Sequence, residues 1–107
     1  PENMQDSIIA QYYDDSDYYK PHTDKCLFSI ITVLHQTPKM FAGGRLKFPE
    51  FDYALDIEDN TSIIFPSTIL HEVEQLSIKK SGQLLGRFSV TNFVSRRMHN
   101  QNPNNRN

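Results

Sequence analysis

Short runs of Ile, Val, Phe, Tyr and Thr, each soon stopped by a Gly, Pro, Asn or Asp cluster, dominate this chain. Such runs suit a pleated, half-buried surface, and the residues between them are those that tight turns require. Eight can be delimited, at 7–13, 18–23, 27–36, 44–48, 52–58, 61–66, 70–78 and 84–95. No window sustains the apolar period of an amphipathic helix, and "MQDSIIAQYY" supports one helical turn at most. The expectation is an all-β domain of about eight strands. Within 107 residues that number fits a sandwich or jelly roll, in which two Greek keys close the sheets and the mouth offers a ligand cavity.

Hydrophobic residues make up 37% of the chain, enough for one core and too little for two domains. Residues 1–95 are expected to form that domain, and 96–107, "RRMHNQNPNNRN", a polar and flexible tail. Eleven basic and thirteen acidic residues lie interspersed, so the basic footprint of a nucleic-acid binder is missing. Cys26 is the single cysteine, which excludes an internal disulfide and fits a reducing, cytoplasmic setting. No apolar run reaches membrane-spanning length, and no signal-like segment opens the sequence. The chain starts at Pro1, as a trimmed piece of a longer polypeptide would.

Three stretches carry candidate chemistry. In "YYKPHTDK", strand alternation turns His22 and Asp24 to one side and Thr23 to the other. In "LHEVEQLSI", His71 shares an inward face with Val73, while Glu72 and Glu74 share the solvated one. In "GRFSVTNFV", Arg87, Ser89 and Thr91 lie opposite Phe88 and Val90, and a guanidinium inside a barrel needs a partner. Two histidines and one carboxylate with half the coordination sphere open form the facial triad of non-heme Fe(II) oxygenases. Zinc accepts the same ligands, although its catalytic sites usually keep a single open position. Arg87 has two readings, an anion site shared with Ser89 and Thr91 or an ion pair with Glu72 or Asp24. Tyr13 and Tyr19 are core aromatics or pocket residues. His35 and His99 read as surface residues, Cys26 as a packed core thiol, and Gly43–Gly44 as a turn opening a strand.

Taken in order, "YDDSDYYKPHTD", "FAGGRLKFP", "SIIFPSTILHEVEQL" and "GRFSVTNFV" resemble the catalytic core of the prolyl 4-hydroxylase-like branch of the 2-oxoglutarate and Fe(II)-dependent dioxygenases, from about Ile8 to Val94. The resemblance implies a double-stranded β-helix, the cupin-like form of the jelly roll. It implies iron ligation by His22, Asp24 and His71, with Arg87 and Ser89 on the distal carboxylate of 2-oxoglutarate. Tyr13 and Tyr19 stand where relatives carry pocket tyrosines. The implied activity is hydroxylation of an unactivated C–H bond, by branch in a peptidyl prolyl residue, with release of succinate and carbon dioxide; relatives also use ascorbate. The partners are then 2-oxoglutarate, dioxygen and a peptide or small-molecule substrate.

Several positions depart from that pattern. Ser16 and Asp17 replace the usual glycine pair before the metal motif, "IKKSGQLLG" lengthens the loop before Arg87, and Val33 stands where some relatives have a co-substrate tyrosine. Relatives commonly back the main sheet with N-terminal helices, for which the residues before the first run leave no room. One sheet face is therefore expected to be apolar and exposed, with homo-oligomer formation as a consequence. The rival readings are a cupin-like module that binds a metal or small acid without turnover, and a Zn(II) or Mn(II) enzyme using the same ligands. Neither rival needs a cation at Arg87.

Overall fold

The computed structural model describes residues 4–96. Ten strands follow one another: β1 (Met4–Tyr13), β2 (Tyr19–His22), β3 (Phe28–Leu34), β4 (Phe41–Gly43), β5 (Leu46–Phe48), β6 (Tyr53–Leu55), β7 (Thr61–Pro66), β8 (His71–Val73), β9 (Leu76–Ile78) and β10 (Arg87–Arg96). One 3-10 turn, Pro49–Phe51, joins β5 to β6. The strands form two four-stranded sheets, ordered β1-β10-β3-β7 and β2-β8-β5-β6, and a small β4-β9 pair. Among the described residues every pairing is antiparallel, and only β5 and β6 pair as neighbours in sequence. Successive strands otherwise cross from sheet to sheet, the winding of a double-stranded β-helix. Among the described residues no helix is long and apolar enough to cross a membrane.

The eight runs read from the sequence become ten strands because one of them, 70–78, breaks into β8 and β9, and because β4, at 41–43, lies ahead of the run 44–48 and outside every run. Gly43 and Gly44 hold φ of 74° and 72°, a left-handed backbone that separates β4 from β5. A Cβ on Gly43 would run into the Gln75 carbonyl, so only glycine lets the two chains cross there. The run 70–78 breaks at the same crossing. Glu74 N–H donates to Arg45 O at 2.9 Å, after which Leu76 N–H turns to Asp17 O at 3.0 Å, and the chain leaves β5 to pair with β4.

Alternation along the strands builds the interior. Ile31 and Val33 of β3, Phe65 of β7, Leu46 and Phe48 of β5, and Ile57 form one buried cluster; Tyr13, Phe41, Val73, Leu76 and Ile78 form another. Both draw on more than one sheet, so burial of these side chains holds the sheets face to face, at ~1.5–3 kcal/mol for each fully buried large aliphatic or Phe. The outward face of the β1-β10-β3-β7 sheet carries exposed apolar side chains, with Ile8 and Ile64 each 61% exposed and Phe28 42% exposed, beside a polar Thr32–Ser62 pair. Exposed apolar side chains, as expected, are present on that face among the described residues. The expected polar tail falls, beyond Arg96, outside the described residues, as does His99.

Candidate metal centre

One cavity between the sheets is lined by the seven residues that the resemblance assigns to a site: Tyr13, Tyr19, His22, Asp24, His71, Arg87 and Ser89. Its enclosed space is about 70 Å³, and the cavity opens to solvent at its mouth.

His22 closes β2 and His71 opens β8, directly opposite in register, with ring centroids 4.3 Å apart. Each ring is oriented by its own strand. His22 Nδ1 lies 2.8 Å from Lys20 O and His71 Nδ1 lies 2.7 Å from Ile69 O. A carbonyl only accepts, so each Nδ1 carries a proton, and in a neutral ring Nε2 is then the nitrogen that offers the lone pair. Tyr19 stacks on His22 at 4.0 Å, and Phe65 meets His71 edge-on at 4.8 Å. Burial pushes His71 below the ordinary histidine value, against the Ile69 carbonyl and Asp24, which act the other way. A neutral imidazole is the form that binds a metal.

Asp24 completes the group. Its Oδ1 lies 3.6 Å from His22 Nε2 and its Oδ2 lies 3.2 Å from His71 Nε2. Adjacent ligands in an octahedral shell ~2.1 Å from a divalent ion sit ~3 Å apart, so the spacing suits one shared ion. One ligand atom from each residue lies within 4.8 Å of the others. The alternation argument for Asp24 needs correction, because β2 ends at His22 and Asp24 lies in irregular chain beyond it. Its direction is set by hydrogen bonds: Asp24 N–H donates to Ser67 O at 2.9 Å, and the Ser29 hydroxyl donates to Asp24 Oδ2 at 2.6 Å.

Arg87 opens β10 opposite Tyr13 of β1. It is 2% exposed, and its guanidinium sits over the Tyr13 ring at 5.3 Å. Nη2 is buried without a hydrogen-bond partner, and among the described residues no carboxylate pairs with Arg87. The alternative ion pairs with Glu72 and Asp24 are not formed. Burial lowers the Arg87 pKa and raises that of Tyr13, whose phenol stays protonated beside the cation. Ser89 and Thr91 follow Arg87 inward, at 3% and 8% exposure. Gly86 allows β1 to pass, since a Cβ there would strike the Tyr13 carbonyl. Tyr19, at 38% exposure, lies at the rim.

Other expectations shift. His35 is half-buried, edge-on to Phe41 at 5.5 Å, with Nε2 buried and unpartnered. Cys26 joins neither apolar cluster; it is half-buried beside serine hydroxyls. Ser16 takes φ of 71°, so the departure from glycine stands at a position that demands glycine-like backbone. The stretch Asp14–Asp17 ahead of the metal motif is tied down: Asp15 Oδ1 accepts from Ile78 N–H at 2.8 Å, and Asp14 Oδ2 accepts from Gly82 N–H at 3.1 Å. Val33, 1% exposed, adds apolar surface next to Ser89. Ser29 and Ser67 were missed; the one signal was a serine at an inward position of "FSIITVL", flanked by inward Ile31 and Val33.

A family profile described as the 2OG-Fe(II) oxygenase superfamily matches residues 8–95. Comparison with curated proteins and with solved structures returns no match.

Proposed function

The chain belongs to the 2OG-Fe(II) oxygenase superfamily, and we propose that it hydroxylates an unactivated C–H bond of a peptidyl prolyl or similar residue. The family implies Fe(II) and 2-oxoglutarate. Bound together with dioxygen, they supply the oxidising chemistry, which releases succinate and carbon dioxide. His22, Asp24 and His71 would hold the metal through two neutral Nε2 atoms and one carboxylate. Arg87 and Ser89 would take the distal carboxylate of 2-oxoglutarate, with Tyr13 as a neutral wall and donor.

The observation that carries this reading is the orphaned guanidinium. A cation 2% exposed and without a counter-charge is unfavourable unless an anion arrives, and the cavity it lines is the one that the three metal-ligand candidates line. A planar fork matches a carboxylate with two parallel hydrogen bonds. Ile31 and Val73, also on the cavity wall, exclude water from that pair. At the open side Tyr19, His22 and Asp24 also face a groove with Lys25 and Phe93, where the substrate chain would enter. The prolyl assignment rests on the likeness of the metal-motif, Gly-Gly and Arg-x-Ser stretches to that branch, as does ascorbate as an accessory reductant. The single free thiol, Cys26, suits the cytoplasm, and the exposed apolar sheet face suits a homo-oligomer.

The test is a calorimetric titration of 2-oxoglutarate into protein loaded with redox-inert Mn(II). Metal-dependent binding, competed by succinate, is expected. Absence of binding with metal present removes the dioxygenase reading and favours a cupin-like module.

A further inference from the structure

Behind Asp24 runs a line of buried hydroxyls that metal ligation alone does not require. Ser29 and Ser67 are both 0% exposed. The Ser29 hydroxyl donates to Asp24 Oδ2 at 2.6 Å, in the short range of a charge-assisted bond. With that proton committed, Ser29 Oγ can only accept from Ser67, 2.9 Å away. Ser67 Oγ also meets Cys26 Sγ, and the Cys26 thiol donates to Phe28 O at 3.4 Å. The main chain braces the same point: Ser67 O accepts from Asp24 N–H at 2.9 Å, and Ser67 N–H donates to Leu27 O at 3.1 Å.

We propose that Ser29, backed by Ser67, is a positioning residue that fixes the Asp24 carboxylate for the metal. This rests on the reading that His22, Asp24 and His71 hold a metal ion. Asp24 lies beyond the end of β2, so sheet geometry leaves its side chain free to rotate, and the serine bond on Oδ2 removes that freedom before the ion arrives. Two hydroxyls sealed from water are unfavourable in an apolar interior unless each is used, and here each donates to a defined acceptor. Hydrogen-bond partners of metal ligands typically govern ~10–100-fold in metal affinity. Ser29 sits on β3 at an inward position and Ser67 just past β7, so the major sheet itself sets the reach of the carboxylate.

The experiment measures Mn(II) affinity of wild type, Ser29→Ala and Ser67→Ala, at a temperature where each metal-free protein is folded. It adds the visible spectrum of the Co(II)-loaded forms, which reports how the carboxylate meets the ion. Ser29→Ala should lose ~10–100-fold in Mn(II) affinity and shift the Co(II) bands. Ser67→Ala should lose less, in the same direction. Ser29→Ala that binds Mn(II) as tightly as wild type, with an unchanged Co(II) spectrum, overturns the positioning role and leaves the triad standing. Should Ser29→Ala not fold, Ser67→Ala decides on the same criterion. Wild type that binds no Mn(II) overturns the triad, and the positioning role with it.

Discussion

Replacing Arg87 with methionine exchanges a buried, unpaired cation for an apolar chain of similar length. In the ligand-free protein the guanidinium has the Tyr13 ring at 5.3 Å as its compensation, an interaction worth ~0.5–2 kcal/mol. Desolvating an ion is unfavourable by several kcal/mol, and replacing buried ion pairs with packed apolar residues often stabilises by ~1–4 kcal/mol. With no counter-ion lost, Arg87→Met should stabilise the apo protein by ~1–3 kcal/mol. A domain of this size shifts its Tm by ~4–8 °C per kcal/mol. The effect on 2-oxoglutarate is opposite in sign. Truncating one member of a buried charge pair costs ~2–5 kcal/mol, so affinity should fall by about 30-fold to several thousand-fold. Thermal melts with and without 2-oxoglutarate, on Mn(II)-loaded protein, read both effects: wild type rises with ligand, Arg87→Met starts higher and does not respond. A variant that melts lower than wild type without ligand would refute the desolvation argument. One that keeps wild-type 2-oxoglutarate affinity would refute the anion site.

Removing a ligand of the triad should be harsher than removing its supports: His71→Ala and Asp24→Ala are each expected to lose more than ~100-fold in Mn(II) affinity by titration, and unchanged affinity would dismiss the centre. Ser89→Ala should weaken 2-oxoglutarate by only ~0.5–1.5 kcal/mol, with Mn(II) affinity unmoved, as measured in the same titrations. Burial depresses the His71 pKa, so the folded metal-free protein binds fewer protons here than the unfolded chain does. The resulting stability is fully present above the unfolded histidine pKa and is lost as pH falls through the lowered folded value. Denaturant melts of metal-free protein across that window should show the loss, reduced in His71→Gln. Ile8 and Ile64 lie on one outward row of the main sheet, and the double variant Ile8→Lys, Ile64→Lys should lower self-association in sedimentation experiments. Wild type that stays monomeric at high concentration would show that the apolar face is tolerated bare.

Period-two alternation made the inward positions of β10 and β8 legible. Arg87, Ser89 and Thr91 had to share a face, and so did His71 with Val73, because a strand leaves a side chain two choices. The register that sets His22 against His71 was not legible, since it depends on which strands pair across the barrel. Asp24 faces the cavity for a reason that strand alternation does not give: its direction comes from Ser29 and from Ser67, which is remote in sequence, and no local pattern announces such bonds. The same holds for the two extra strands. Gly43–Gly44 announced a turn, but the breach at Glu74–Gln75 comes from the chain that crosses there. His35 was misplaced at the surface because its neighbours in sequence, Gln36 and Thr37, are polar, while its packing partner Phe41 and its Asp59 contact come from outside the run.

The central claim is that one cavity couples a His-Asp-His metal ion to a carboxylate co-substrate held by Arg87. Succinate formation from 2-oxoglutarate, followed with Fe(II) and dioxygen each supplied or withheld, tests it most directly. The account predicts succinate only when both are present, stimulated by prolyl-containing peptides and lost in Arg87→Ala and His71→Ala. Succinate that forms equally without added iron, or in Arg87→Ala at the wild-type rate, would contradict it.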